Sequence, residues 1–189
     1  GLQAELVDND ALSGGGQAHD VLDDDFFQRL LSRVSRGEFC AIIAAPPCST
    51  FSVARFFPRE NGAPILRLRD QIYGGKGLDA SSSKTLAAAN ALVARTCRLL
   101  AAGHRVGTQF VLENPVDRGD RSDARAFLHE NHGSLWQMPE VVSLLKETGA
   151  DTVSFCQCMI GAPWQKRTTF AFTPGLHSWL APLGRLECN

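Results

Sequence analysis

Long apolar runs are absent from this chain of 189 residues, and none approaches the roughly 18 apolar residues that span a bilayer. The first residues also lack the basic segment followed by an apolar segment that directs secretion. We therefore expect an intracellular protein with no membrane partner. An excess of charge is missing too, since 19 basic residues against 20 acidic residues leave a net charge of -1. Any contact with a nucleic acid must come from a local basic patch.

Cysteine is too sparse, at six residues, for a disulfide scaffold. Most of the cysteines lie in apolar sequence, as in residues 39–43 and 96–100, so we expect reduced and buried thiols. Cys156 and Cys158 are separated by one residue, which is shorter than the spacing of common zinc knuckles, and no second pair follows. The sequence therefore predicts no metal site.

Short apolar segments alternate with amphipathic ones along the chain. We expect helices from Asp23 to a stop at Gly37, over 84–102, where Gly103 closes the helix, and over 139–148, and strands over 4–8, 39–45, 109–112, 151–155 and 168–172. The continuous apolar run at 39–45 suits a parallel strand buried on both faces. This alternation predicts one α/β domain over residues 1–189, with a mostly parallel sheet and helices on both faces. Residues 52–83 predict a long mobile loop.

Chemically versatile residues follow three of the predicted strands, namely Asp8, Cys48 and Glu113. Ligands of open α/β sheets bind beyond the carboxyl ends of the strands, so we expect these residues to share one crevice. Cys48 follows two prolines and opens a polar turn, which favours a nucleophile over a packing cysteine. Glu113 ends an apolar strand, where a desolvated carboxyl group suits proton donation better than a helix cap.

Two short motifs resemble those of the cytosine 5-methyltransferases. Residues 47–52, Pro-Cys-Ser-Thr-Phe-Ser, resemble the Pro-Cys-x-x-Phe-Ser loop of that family, and residues 113–115, Glu-Asn-Pro, resemble its Glu-Asn-Val motif. Residues 161–170 are similar to its Gly-x-Pro-Gln-x-Arg-x-Arg segment, with Thr169 in place of the second arginine. Asp8 resembles the strand-end acid that holds the cofactor ribose, and residues 19–21, His-Asp-Val, resemble the segment that contacts the adenine.

The resemblance implies a Rossmann-like methyltransferase fold and transfer of a methyl group from S-adenosyl-L-methionine to C5 of cytosine, in DNA in preference to RNA. Cys48 would add to C6 of a flipped cytosine, Glu113 would donate a proton to N3, and Arg167 would support the base or a neighbouring phosphate. The implied cofactor-binding residues are Asp8, Asp20, Pro46 and Pro47. The implied nucleic-acid-binding residues are Ser52, Arg55, Asn114, Gln165 and Lys166. The arginines of the long loop, Arg55, Arg59, Arg67 and Arg69, would close over the nucleic acid.

Two parts of the family pattern have no counterpart in this sequence. The Phe-x-Gly-x-Gly turn that cradles the cofactor is missing, since the glycines at 14–16 follow the ribose acid, and residues 173–189 are too few for a target-recognition region. We therefore expect either a truncated fold, completed by a further segment or subunit that supplies the cofactor loop, or a catalytically inactive module that binds nucleic acid or protein.

Two other activities remain open. In an amino-methyltransferase, residues 45–48, Ala-Pro-Pro-Cys, would stand for an Asp-Pro-Pro-Tyr motif, but the polar first residue and the stacking aromatic are both missing. The Pro-Pro-Cys start is also compatible with an RNA cytosine methyltransferase. The sequence does not decide between DNA and RNA.

Overall fold

The computed structural model describes residues 1, 3–57, 60 and 62–188. The described strands are β1 (Ala41–Ala44), β2 (Gln109–Pro115), β3 (Asp151–Cys156) and β4 (Arg167–Phe172). The α-helices are α1 (Ala11–Gly14), α2 (Asp24–Ser35), α3 (Ala80–Arg105), α4 (Pro139–Thr148) and α5 (His177–Leu180). Short 3-10 helices lie at Gly16–His19, Ser49–Phe51, Val53–Phe56, Leu135–Gln137, Gln157–Ile160, Pro174–Leu176 and Ala181–Arg185. No helix in the described residues is long and apolar enough to cross a membrane.

The four strands form one mixed sheet in the order β1-β2-β4-β3. β1 pairs in parallel with β2, whereas β4 pairs antiparallel with both β2 and β3. The α/β class is confirmed, but the prediction of a mostly parallel sheet is wrong. The physical reason is the short connection 157–166, because a parallel crossover needs about a dozen residues or more, usually with a helix. β4 therefore returns antiparallel beside β3.

β1 lies at an edge of the sheet. The predicted strand over 4–8 does not form, and this region contributes only an isolated bridge between Asp8 and Gly15. Glu5 instead forms an ion pair with Arg33 of α2, with Oε1 at 2.8 Å from Nη1. Ile43 of this strand is 81% exposed, so the prediction of a strand buried on both faces is wrong.

The helix starts follow from acidic caps. The carboxylate of Asp23 accepts a hydrogen bond from the backbone N–H of Phe26 at 2.7 Å and begins α2, whose apolar side chains are buried. Asp79 caps α3 in the same way through the N–H of Ser82 at 2.7 Å. This cap explains why α3 begins at Ala80, before the predicted start at residue 84.

α3 also runs past Gly103, where the sequence predicts its end, to Arg105. A Cβ atom at Gly103 would lie 3.2 Å from Ile42 Cδ1 and 3.3 Å from Val34 Cγ1. This glycine therefore allows α3 to approach β1 and α2 closely instead of ending the helix. α4 spans the predicted residues and ends at Gly149, which adopts the left-handed conformation with φ of 61°.

The two faces of the sheet are covered differently. On one face, which we call the helical face, Phe110, Leu112 and Ala171 pack against apolar side chains of α3 and α4. On the other, which we call the C-terminal face, the sheet packs against the short helical turns of residues 174–185. The side chains on this face are Val111, Val153, Phe170 and Phe172, with Leu176, Leu180 and Leu183 over them. Helical structure covers both faces, but the long helices pack on the helical face.

Candidate functional site

β1, β2 and β3 all end at the same edge of the sheet, where β4 begins, and we call this the carboxyl edge. The Nδ2 atom of Asn114 donates a hydrogen bond to the carbonyl oxygen of Pro46 at 3.0 Å, so the ends of β1 and β2 are joined. Cys48 and Glu113 therefore lie at one edge, as the strand-end rule predicts. Asp8 is not carried there by a strand, because residues 4–8 form none.

Cys48 precedes the 3-10 helix Ser49–Phe51 and is half-buried. The backbone N–H of Phe51 donates to the carbonyl oxygen of Cys48 at 2.9 Å. His132 Nε2 donates to the carbonyl oxygen of Phe51 at 2.8 Å, and its Nδ1 lies 3.4 Å from Asp117 Oδ1. The hydrogen bond from His132 therefore helps to fix the turn after Cys48. Pro46 is buried in this turn and Pro47 is exposed.

Arg67 does not reach over the surface as the sequence predicts. The residue is 2% exposed, and its guanidinium lies 4.0 Å from the centre of the Phe51 ring. It donates to Thr50 Oγ1 at 3.2 Å and to Asn90 Oδ1 at 2.7 Å. Burial lowers the pKa of Arg67 to about 10. The apolar ring and nearby acceptors explain why this arginine supports the Cys48 turn instead of binding a ligand at the surface.

The other loop residues of the prediction have local partners as well. Arg55 donates to the carbonyl oxygens of Ser49 and Pro64, at 2.9 and 2.7 Å. Ser52 caps the 3-10 helix that follows it, accepting from the N–H of Ala54 at 3.3 Å. Arg59 lies outside the described residues. The described part of the segment is therefore partly packed, and its mobility stays a prediction.

Arg69 forms an ion pair with Asp117 at 3.1 Å. Burial of Asp117 would raise the pKa of this carboxyl group, but hydrogen bonds from His132 and from the backbone of Gly119, with the charge of Arg69, outweigh it. The pKa of Asp117 therefore lies below its ordinary value. This acid connects the long loop to the end of β2.

Glu113 is surrounded by donors on the C-terminal face. Lys166 Nζ lies 3.0 Å from Oε1, Gln157 Nε2 lies 3.5 Å from the same atom, and the hydroxyl of Thr168 also donates to it. One cation and two neutral donors therefore converge on one carboxylate oxygen. Lys166, which the resemblance assigns to nucleic acid, is in this structure the ionic partner of Glu113.

Arg167 lies on the opposite face of the sheet from Glu113. Glu113 pairs with Phe170 across the ladder, and residues an odd number of positions apart point to opposite faces. The guanidinium of Arg167 binds the carboxylate of Glu187 through two hydrogen bonds, at 2.7 and 3.1 Å. Gln165 and Arg167 line a cavity of about 540 Å³ together with Arg118, Arg125, Leu128, Cys156, Glu187 and Cys188. The predicted catalytic set is therefore split, with Arg167 in separate surroundings.

The two acids assigned to the cofactor both cap local turns. Asp8 Oδ1 accepts from the N–H of Asp10 at 2.8 Å, and Asp20 Oδ1 accepts from the N–H of Leu22 at 2.8 Å. Asp8 is exposed and Asp20 is half-buried. Each carboxylate therefore already accepts a local backbone hydrogen bond, and the binding of S-adenosylmethionine by these two acids stays a prediction.

The cysteines differ in how far they are exposed to solvent. Cys97 is buried as predicted, and burial raises the pKa of its thiol to about 12. Cys40 is exposed, so the prediction of a buried thiol is wrong there, because it precedes an edge strand. This exposed thiol is a useful reference for the reactivity of Cys48.

Several residues around these sites were not singled out from the sequence. Thr168 and Gln157 around Glu113 carry no sequence signal, because their role depends on the pairing of β3 and β4. The charged run at 117–121, Asp-Arg-Gly-Asp-Arg, was a usable signal, since it directly follows the Glu-Asn-Pro motif. Comparisons of the chain with models of protein families, with curated proteins and with solved structures find no match.

Proposed function

We propose that Cys48 is the nucleophile of a cytosine C5-methyltransferase site that acts on nucleic acid, with S-adenosyl-L-methionine as methyl donor. The observation that carries the proposal is the hydrogen bond between Asn114 Nδ2 and the carbonyl oxygen of Pro46. It joins the turn that contains Cys48 to the strand end that contains Glu113. The two sequence motifs of the resemblance therefore meet at one edge of the sheet, although they lie far apart in the chain.

In the proposed reaction, the thiolate of Cys48 forms a bond to C6 of the cytosine, and the electron pair of the C5–C6 double bond shifts toward C5. Glu113 donates a proton to N3, and Lys166 balances the carboxylate charge that remains. The methyl donor, when bound, supplies the group that C5 takes up. A water molecule then takes up the C5 proton as the electron pair reforms the C5–C6 double bond and expels the thiolate of Cys48, and N3 returns its proton to Glu113.

A second candidate is a catalytically inactive module that binds nucleic acid or protein. The caps formed by Asp8 and Asp20 favour it, because both carboxylates already accept backbone hydrogen bonds. The ion pair between Lys166 and Glu113 also favours it, because a cation of the chain already occupies this carboxylate. Both candidates keep the same fold and differ only in covalent chemistry at Cys48.

Covalent capture separates the two candidates. The protein is incubated with S-adenosylmethionine and oligonucleotides that contain 5-fluorocytosine, in DNA and RNA form, because fluorine at C5 blocks release of the enzyme. We expect a complex that survives denaturing electrophoresis and that disappears in Cys48→Ala. The matched control is Cys40→Ala, which removes an exposed thiol eight positions away and leaves capture unchanged.

Two results would contradict the proposal. Capture that persists in Cys48→Ala would exclude Cys48 as the nucleophile. Failure of capture with both oligonucleotides, in a protein that still binds them, would favour the inactive module. Calorimetric titration with S-adenosylhomocysteine then tells whether the cofactor is the missing component, since micromolar binding corresponds to roughly -8 kcal/mol.

A further inference from the structure

The cavity on the helical face is bordered by three arginines that come together through the fold of the segment after β2. The backbone N–H groups of Leu128 and His129 both donate to the carbonyl oxygen of Arg118, at 2.8 and 3.1 Å. This closes a compact loop that brings Arg118 and Arg125 to the same cavity as Arg167 of β4. Residues distant in sequence thus form one basic recess.

Positive charge exceeds negative charge in the lining. Three guanidinium groups share one lining carboxylate, that of Glu187. This carboxylate binds Arg167 in a bidentate manner and lies 3.4 Å from Arg125 Nη1. A second acid, Asp123, lies 4.0 Å from Arg167. Burial, and then the positive charge of Arg167, lower the pKa of Arg118 below its ordinary value. Repulsion between the cations favours an additional anion.

One hydrogen-bond donor of the cavity is buried and unused. Arg167 is 9% exposed, and its Nε atom is buried without a hydrogen-bond partner. A buried N–H without an acceptor costs about 1–3 kcal/mol, more when it carries charge. This observation is independent of the charge balance, and it shows that the contacts with Glu187 leave part of the Arg167 guanidinium unsatisfied.

We propose that the cavity lined by Arg118, Arg125 and Arg167 is a binding site for a phosphate group. Guanidinium forks match the geometry of phosphate oxygens, and charge-assisted pairs of this kind are among the stronger hydrogen bonds in proteins. A volume of about 540 Å³ lies within the range of small-ligand sites, so the phosphate can carry a nucleoside. The carboxylate of Glu187 occupies part of the site as an internal anion. The site does not depend on methyl transfer at Cys48.

Calorimetry with small probes tests this site directly. The probes are inorganic phosphate, cytidine 5′-monophosphate, cytidine as the neutral control and a short oligonucleotide. We expect the monophosphate to bind and cytidine not to bind. Arg125→Gln should weaken the monophosphate by roughly tenfold, through loss of one charge-assisted contact. Glu187→Gln should strengthen it, since the internal anion loses its charge.

Arg121→Gln is the matched control. Arg121 lies in the same segment as Arg125, and the two side chains are 71% and 72% exposed, but Arg121 pairs with Glu130 and does not line the cavity. Arg121→Gln changes the net charge by the same amount as Arg125→Gln and should leave the affinity for the monophosphate unchanged. Because Arg125 is so exposed, its variant is expected to fold, and a thermal melt verifies this.

The outcomes assign the source of the phosphate or overturn the site. Tighter binding of the oligonucleotide than of the monophosphate supports a phosphodiester of nucleic acid, and equal binding of inorganic phosphate supports a free phosphate group. Equal affinities of Arg125→Gln and Arg121→Gln would overturn the proposal, as would equal binding of cytidine and its monophosphate. Covalent capture at Cys48 is read separately, so either proposal can fail alone.

Discussion

Lys166 and Arg167 are neighbours in sequence, yet they neutralise carboxylates on opposite faces of the sheet. Lys166 contacts Glu113 on the C-terminal face, and Arg167 contacts Glu187 in the basic recess of the helical face. The alternation of side chains along a strand separates what looks like one basic motif into two sites. Neighbouring residues of one sequence motif can therefore contribute to two different sites once the strand is paired in the sheet.

The same two faces differ in depth of packing. Leu112 on the helical face is 1% exposed and contacts α3 and α4, whereas Leu183, over the C-terminal face, is only partly buried. Long helices shield one face fully, and short turns shield the other in part. Interactions of equal chemistry should therefore be stronger on the helical face.

The largest expected effect is the loss of unfolding free energy when a core side chain is shortened. Leu112→Ala should lower the free energy of unfolding by about 2–5 kcal/mol, because it leaves a cavity in the densest part of the core. Leu183→Ala makes the same chemical change on the other face and should lower it by about 1 kcal/mol. Denaturant unfolding measures both. Equal losses would remove the proposed difference between the faces.

A smaller effect is expected for the two cations. The side chain of Arg167 is 10% exposed and that of Lys166 is 30% exposed, so solvent screens the second pair more. Arg167→Gln should destabilise the fold by about 2 kcal/mol, through loss of a largely buried pair. Lys166→Gln should cost under about 1 kcal/mol. A greater loss in Lys166→Gln, measured by chemical unfolding, would reverse the ranking of the faces.

The smallest effect concerns acid stability at the carboxyl edge. Because the pKa of Asp117 is lowered in the folded state, the unfolded chain takes up this proton first as pH falls. The stabilisation is complete above the ordinary aspartate pKa of about 4 and is lost as pH falls through the lower folded value. Asp117→Asn should therefore flatten the dependence of unfolding free energy on pH between about pH 5 and 2. An unchanged slope would show that Asp117 gains nothing from its partners.

Local sequence signals were sufficient for the elements with strong caps and periodic apolar faces. α2 and α4 follow from Asp23, Pro139 and Gly149, and β2 to β4 follow from their apolar runs. The direction of β4 could not be derived from local signals, because it depends on which strand it joins. Residues 4–8 have strand-like composition but form no strand, and Glu5 pairs with Arg33 of α2 instead.

The candidate site was predictable as far as strand ends determine it. Cys48 and Glu113 lie at one edge because β1 and β2 are parallel, which the pattern predicts. The partners of Glu113 and the position of Arg167 were not predictable, since they depend on the register of β4 against β2. Burial of Arg67 was not predictable either, because its acceptors, Thr50, Ile72 and Asn90, come from three separate segments.

Arg67 also has a consequence for the freedom of the chain. Arg67 is hydrogen-bonded to Thr50, 17 positions earlier, and to Asn90, 23 positions later. The long segment between Thr50 and Asn90 is thereby divided into two shorter closed loops. The entropy lost on closing a loop grows with its length, by about 0.6 kcal/mol for each doubling. A fixed point in the middle therefore reduces the number of conformations open to the turn beside Cys48, which helps to keep this thiol in a defined position at the edge of the sheet.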